Sequence, residues 1–273
     1  MGDALPSITW LFRADESVRF CTGDYASGFL SRRELWAEIV GRGHELGWHM
    51  HLLSYDTRHK AFLFDPEPAW LGAAHGALAE HFVVRATRSG WDYGSSFLFR
   101  ELDRSGIELD FSALPGNRVW RRLGPGIVNI DWLRCPDGPY RPSLADYQCS
   151  AMDGLRFIEV PVAQFHDSPL STAKRLAWRV RHGCLAMRGL RNKTRLLTER
   201  WGRLPFSNQE VQAFFFHPDG LTPIGIRHFQ ENVERLRSQH DVEFLTAGGI
   251  RTWLDGLGRP RTEDILPAAT ESL

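Results

Sequence analysis

The chain has no net charge to work with: 33 Lys+Arg stand against 33 Asp+Glu in 273 residues. A protein that holds nucleic acid by overall charge is thereby excluded, although a local basic patch stays open. Cysteine is scarce. Cys21, Cys135, Cys149 and Cys184 form no C-x-x-C pair and no zinc-finger spacing, so free thiols are the expectation. No stretch of 18 uninterrupted apolar residues occurs, so no transmembrane helix is expected. The opening Met1-Gly2-Asp3-Ala4-Leu5-Pro6 lacks a basic n-region and an apolar h-region, and the expectation is a cytoplasmic protein. Internal repeats and low-complexity linkers are absent as well.

What is present is an ordinary globular mix, 42% hydrophobic and 24% charged, which rules out disorder of the whole chain. The length suits one large domain or two small ones. Short apolar, β-branched or aromatic runs read as strands at 8–13, 46–52, 82–85, 108–111, 127–132, 157–162, 213–217 and 242–245. Helical patterns lie between them at 31–40, where Ser31 offers an N-cap, and at 66–79, 95–104 and 227–238. In the last, Phe229, Val233 and Leu236 repeat at i, i+4, i+7, one face of a helix. Alternating strands and helices favour parallel βαβ units, hence an α/β protein.

One segment departs from this pattern. Residues 171–201 carry Lys174, Arg175, Arg179, Arg181, Arg188, Arg191, Lys193, Arg195 and Arg200 against Glu199 alone, with Trp178, Leu185, Met187, Leu190, Leu196 and Leu197 interspersed. The plain reading is an inserted helix with a solvated charged face. The functional reading is a surface for anionic lipid headgroups or a lipid-linked sugar.

The densest chemical constellation is Gly43-His44-Glu45-Leu46-Gly47-Trp48-His49-Met50-His51. On a strand His49 and His51 share a face, and two imidazoles at a strand end suit Zn²⁺. A third ligand must come from elsewhere, and Asp15 after the first strand is the nearest in sequence. His217 in Phe214-Phe215-Phe216-His217-Pro218 ends another strand, where a general acid with a near-neutral pKa would sit. Asp131-Trp132 follow Ile127-Val128-Asn129-Ile130: the Asp would orient a His or bind a sugar hydroxyl, and the Trp would wall a sugar ring. Arg85 ends Phe82-Val83-Val84 and would meet a carboxylate. Each has a bland alternative, namely a core histidine, a surface Asp, a core Trp or a rim ion pair.

In order and spacing these pieces resemble the polysaccharide deacetylase family, the NodB-type carbohydrate esterases, over about Ile8 to Trp253. Gly43 to His49 is similar to the family's G-H-E-[IL]-G-x-H segment. Arg85 to Trp91 with Leu109-Asp110-Phe111-Ser112, then Asp131-Trp132, then Phe216-His217-Pro218, resemble its later motifs. The resemblance implies a distorted (β/α) barrel over 1–258 with the 171–201 insertion, followed by a flexible tail at 259–273. It implies a divalent metal, commonly zinc, and hydrolysis of an N-acetyl group on an amino sugar or polysaccharide. His49, His51 and Asp15 would hold the metal, and His217 would be the acid. Asp131 would tune His217, Arg85 would fix a carboxylate, and Trp132 and Trp48 would line the sugar site. Two departures stand out. Leu53 occupies the place of the family's second metal histidine. The family's Asp-Asp pair, which supplies the base, is expected on a strand before Ile8, where only Met1 to Ser7 precede. A barrel that binds glycan without catalysis is therefore a second reading. A glycoside hydrolase would need two catalytic carboxylates, and no convincing pair is found.

Overall fold

The computed structural model describes residues 6–123, 126–162, 211, 213–215, 222–239 and 241–256. The chain divides into two compact units, Met1–Pro161 with Val242–Leu273, and Val162–Asp241. The basic segment 171–201, His217, Cys184 and the tail lie outside the described residues. Among the described residues no helix is long and apolar enough to cross a membrane.

The first unit is built on a parallel sheet. Its strands are β1 (Thr9–Arg13), β2 (Glu45–Met50), β5 (Ala86–Ser89), β6 (Leu109–Asp110) and β9 (Ile158–Glu159), in the order β1-β2-β5-β6-β9. Two antiparallel hairpins accompany it: β3 (Leu53–Asp56) with β4 (Ala61–Phe64), and β7 (Arg118–Leu123) with β8 (Gly126–Asp131). The crossovers carry α1 (Glu16–Thr22), α2 (Ser27–Leu30), α3 (Arg33–Gly41), α4 (Leu71–Ala79) and α5 (Ser96–Arg104). This is the expected mixed α/β plan with parallel βαβ units. Among the described residues no ladder joins β9 to β1, so these strands do not close the expected barrel. The reason lies in three runs that read as barrel strands. Residues 127–131 fall in the β7–β8 ribbon, 242–245 form no strand, and among the described residues of 213–217 Ala213 makes a bridge to Val162 in the second unit.

Local chemistry explains several boundaries. Asp15 caps α1, its side chain accepting from Ser17 N and Val18 N, and Gly23 ends it at φ 84°. Ser95 caps α5 through Leu98 N, and Leu98, Phe99 and Leu102 go into the core. Helix α3 starts at Arg33 without a side-chain cap, so Ser31 does not take the role its position suggested. The largest fully buried side chains include Trp48, Trp132, Tyr140, Phe99 and Phe157. Phe12, Phe29 and Leu46 form a second cluster with Trp10, Trp36 and Phe82 beside it.

In the first unit, the helix Ala247–Gly256 is tied to the sheet by Ala247 N donating to Thr9 Oγ1 (2.8 Å) and Gly248 N to Glu45 Oε2 (2.7 Å). In the second unit, helix Pro223–Gln239 buries Phe229, Val233 and Leu236, the three positions read as one face.

Candidate metal and hydrolase site

The carboxyl ends of β1, β2 and β5 lie side by side, the place where parallel α/β sheets bind ligands. Their register sets Arg13 against His49 and His49 against Arg88, so the three side chains rise from one face of the sheet. His51 follows the end of β2 and turns back toward His49. The two Nε2 atoms are 3.1 Å apart, with the ring planes at 81°.

The tautomer of His49 follows from its other nitrogen. Nδ1 lies 2.8 Å from the carbonyl oxygen of Arg88, and a carbonyl only accepts, so Nδ1 carries the proton. Nε2 is then a lone pair aimed at His51. Burial, with the charges of His51, Arg88 and Arg13 adding to it, pushes the pKa of His49 down to about 3, so the ring is neutral. A carbonyl behind a neutral imidazole is the arrangement that orients a metal-ligating histidine. The spacing also fits: nitrogens bonded at about 2.0–2.1 Å to one ion and 3.1 Å apart subtend roughly 100° at it.

His51 is seated by close approach of the backbone. A Cβ on Gly90 would come within 2.0 Å of His51 Cδ2 and 2.6 Å of its Nε2. Trp91 covers the ring at a centroid distance of 4.5 Å. Trp91 and Asp92 both have positive φ, 59° and 62°. Two consecutive non-glycine residues in the left-handed region cost about 1–3 kcal/mol each and persist only where the surroundings enforce them. Here Arg88 grips the Asp92 carboxylate through Nη2, Arg121 Nη2 stands 4.0 Å from its other oxygen, and Trp132 Nε1 donates to Asp92 O at 2.7 Å. Arg88 also donates to Phe111 O at 2.5 Å. Arg88 and Asp92 side chains are 8% and 15% exposed, so the pair is largely shielded while the carboxylate keeps an opening.

Asp15 reaches the same place but is fully engaged. Oδ1 accepts from Ser17 N (3.0 Å), Ser17 Oγ (2.5 Å) and Val18 N (3.2 Å), and Oδ2 from Arg13 Nε (2.8 Å) and His51 N (3.2 Å). A carboxylate offers roughly four lone-pair sites, so none is left over for an ion. Burial works to raise its pKa, but the bonds from Arg13 and Ser17 and the charge of Arg13 hold it below the usual range. Asp15 is the clasp that joins the ends of β1 and β2 to α1, in place of the expected metal ligand. Among the described residues no three His, Cys, Asp or Glu side chains come together as a metal set. The histidine pair fits a divalent ion, and Asp15 as placed does not.

The other expected residues stand elsewhere. Arg85 precedes β5, half-exposed, and pairs with Glu108 at 3.5 Å. The arginine beside the histidines is Arg88, three residues on. Trp48 is 1% exposed on the opposite face of β2, and its Nε1 donates to Ala14 O. Trp132 is 0% exposed, packed against Tyr147 and Phe99. Neither indole presents a face to a sugar, because each fills the core. Asp131 ends β8 rather than a sheet strand, and it accepts from Arg118 Nε (2.9 Å) and Nη2, and from Leu133 N (3.1 Å).

Reasoning from sequence also missed a buried acidic row. Thr87, Asp110 and Glu159 are register partners on the face opposite His49, and all are 0% exposed. Thr87 Oγ1 donates to Asp110 Oδ2 at 2.5 Å, and Ala113 N to Glu159 Oε1 at 2.7 Å. Burial and the neighbouring Asp110 raise the pKa of Glu159 well above the carboxylate range, so it holds its proton.

No family model and no curated protein matches the chain. Among solved structures, it aligns over 100% of its length with 96% of a Mycobacterium smegmatis protein described, provisionally, as a polysaccharide deacetylase, at 14% identity and a TM-score of 0.44.

Proposed function

We propose that the chain is a metal-dependent hydrolase that removes an N-acetyl or similar acyl group from an amino sugar or polysaccharide. The observation that carries this reading is the convergence of His49 and His51 Nε2 at 3.1 Å at the carboxyl ends of parallel strands, with a carbonyl fixing the tautomer of His49. The substrate class comes from the ordered motif resemblance. His49 and His51 would hold the ion. When bound, such an ion polarises an acyl carbonyl and a bound water.

The protein's own residues do the rest. Asp92, oriented by Arg88 and partly open, would take a proton from the attacking water. By the motif resemblance His217, which lies outside the described residues, would be the general acid toward the departing amine. Gly90 and Trp91 hold the ring of His51 in place, and the Arg13–Asp15 pair locks the end of β1 beside it.

A second reading, a glycan-binding relative without catalysis, is favoured by one observation: Asp15, the acid nearest the end of β1, is consumed as a helix cap. The test is metal analysis of the purified chain beside His49→Ala and His51→Ala, together with acetate release from N-acetylglucosamine oligomers. Stoichiometric metal, lost in both variants, with acetate release supports the enzyme. Metal and glycan binding without acetate release supports the second reading. A wild-type chain that takes up no divalent ion ends the metal-dependent proposal.

A further inference from the structure

The β7–β8 ribbon has a face that antiparallel ribbons do not normally turn to water. Its register pairs Arg118 with Asp131, Val119 with Ile130, Trp120 with Asn129, Arg121 with Val128 and Arg122 with Ile127. Alternation sends Val119, Val128 and Ile130 inward, and Val128 and Ile130 are buried. The outward positions should then be polar. Two are not: Trp120 is 60% exposed and Ile127 is 69% exposed. They are diagonal neighbours across the ladder, about 7–8 Å apart or less, so they form one apolar spot. Arg122 stands directly opposite Ile127 and has no ion-pair partner among the described residues. The inward Arg121, 4.0 Å from Asp92, ties the ribbon to the edge of the histidine site.

We propose that this face docks the chain on an anionic lipid surface. Charge complementarity selects that occupant. On the outward face Arg118 cancels the ribbon's one acid, Asp131, and Arg122 beside Trp120 and Ile127 supplies the cation left to meet phosphate. Trp with a neighbouring aliphatic side chain and arginines at its flank is the composition that sits at headgroup level, with apolar groups entering and cations meeting phosphate. A sugar chain is less well served, because an exposed isoleucine offers no ring face to stack on.

The experiment is co-sedimentation of the full chain with vesicles of phosphatidylcholine alone, or with about one-third phosphatidylglycerol. The wild type is expected to partition onto the anionic vesicles and to come off with salt. Arg122→Gln should lower partitioning about fivefold. Trp120→Ser/Ile127→Ser should lower it by roughly tenfold or more, with an unchanged urea midpoint showing that the fold is intact. No partitioning of the wild type overturns the proposal. So does partitioning that ignores the ribbon variants but falls when Arg188, Arg191 and Arg195 are neutralised. Loss of chitin pull-down in the double variant, with vesicle binding unchanged, overturns it too and makes the face a glycan platform.

Discussion

Gly90→Ala isolates the geometry of the histidine pair without touching either ligand. The added methyl would lie 2.0 Å from His51 Cδ2 and 2.8 Å from its Cγ. Carbon atoms settle at about 3.5–4.0 Å, so the imidazole must retreat by more than about 1 Å. It has little room, with Trp91 at 4.5 Å on one side and His49 at 4.9 Å on the other. The Nε2–Nε2 distance of 3.1 Å then opens toward twice a zinc–nitrogen bond, about 4 Å, at which two nitrogens no longer share an ion except in line with it. Disturbing a group that orients a ligand typically costs about 10–100-fold in metal affinity. The expectation is a loss at the upper end of that range, with far-ultraviolet circular dichroism unchanged. The assay is zinc titration against a chromophoric chelator for wild type, Gly90→Ala and His49→Ala. Gly90→Ala should fall close to His49→Ala. Wild-type affinity in Gly90→Ala, with His49→Ala impaired, would refute the placement of His51 against Gly90.

Three further outcomes are expected. Trp132→Ala should cost about 3–5 kcal/mol in urea unfolding, because the indole is fully buried against Phe99 and Tyr147; a sugar-lining Trp132 would instead lose glycan binding at unchanged stability. Asp92→Asn should fold normally, since asparagine tolerates positive φ, and should keep its metal while acetate release falls by roughly 10²–10⁴-fold; undiminished release would remove Asp92 from the chemistry. Glu159→Gln should stabilise the protein increasingly as pH rises above 4.5. The folded pKa of Glu159 is raised, so its contribution is whole below the unfolded value and is lost, at up to about 1.4 kcal/mol per pH unit, as pH climbs toward the folded one. Urea midpoints of both proteins at pH 5 and pH 7 check this, and a constant difference would contradict it.

Apolar periodicity found the elements that bury apolar side chains. Strand β2 was legible because Leu46, Trp48 and Met50 all go inside, and α5 because Leu98, Phe99 and Leu102 do. It failed where apolar residues face water or polar ones face the core. Phe82-Val83-Val84-Arg85 looks like a strand, yet Val83 is 69% exposed. The strand is Ala86-Thr87-Arg88-Ser89, fully buried and mostly polar. Its side chains are satisfied by Asp110, by Phe111 O and by Ser112. No hydrophobic pattern marks such a strand. The same mechanism hid β7, whose Arg-Val-Trp-Arg-Arg-Leu has no apolar stripe, and so 127–132 was read as a strand of the main sheet rather than as its ribbon partner.

The displacement of one strand by four residues is also what moved the site. Reading Arg85 as the functional arginine follows from ending the strand there, and that residue instead meets Glu108 near the rim. Once β5 begins at Ala86, register alone brings Arg88 beside His49 and Arg13 to its other side. Each of these two arginines clasps an aspartate two or four residues along its own chain segment, Asp15 in one case and Asp92 in the other. The two clasps are not equivalent. Arg13 leaves Asp15 with five hydrogen bonds, anchored into α1 and 0% exposed. Arg88 grips one oxygen of Asp92, with Arg121 only at 4.0 Å from the other, on a backbone forced to positive φ and with part of the carboxylate open. A group meant only to secure the fold gains from the first arrangement. A group meant to exchange a proton needs the second, because a carboxylate with every lone pair occupied cannot accept one. Under the proposed hydrolase reading, this asymmetry makes Asp15 the structural acid and Asp92 the proposed base.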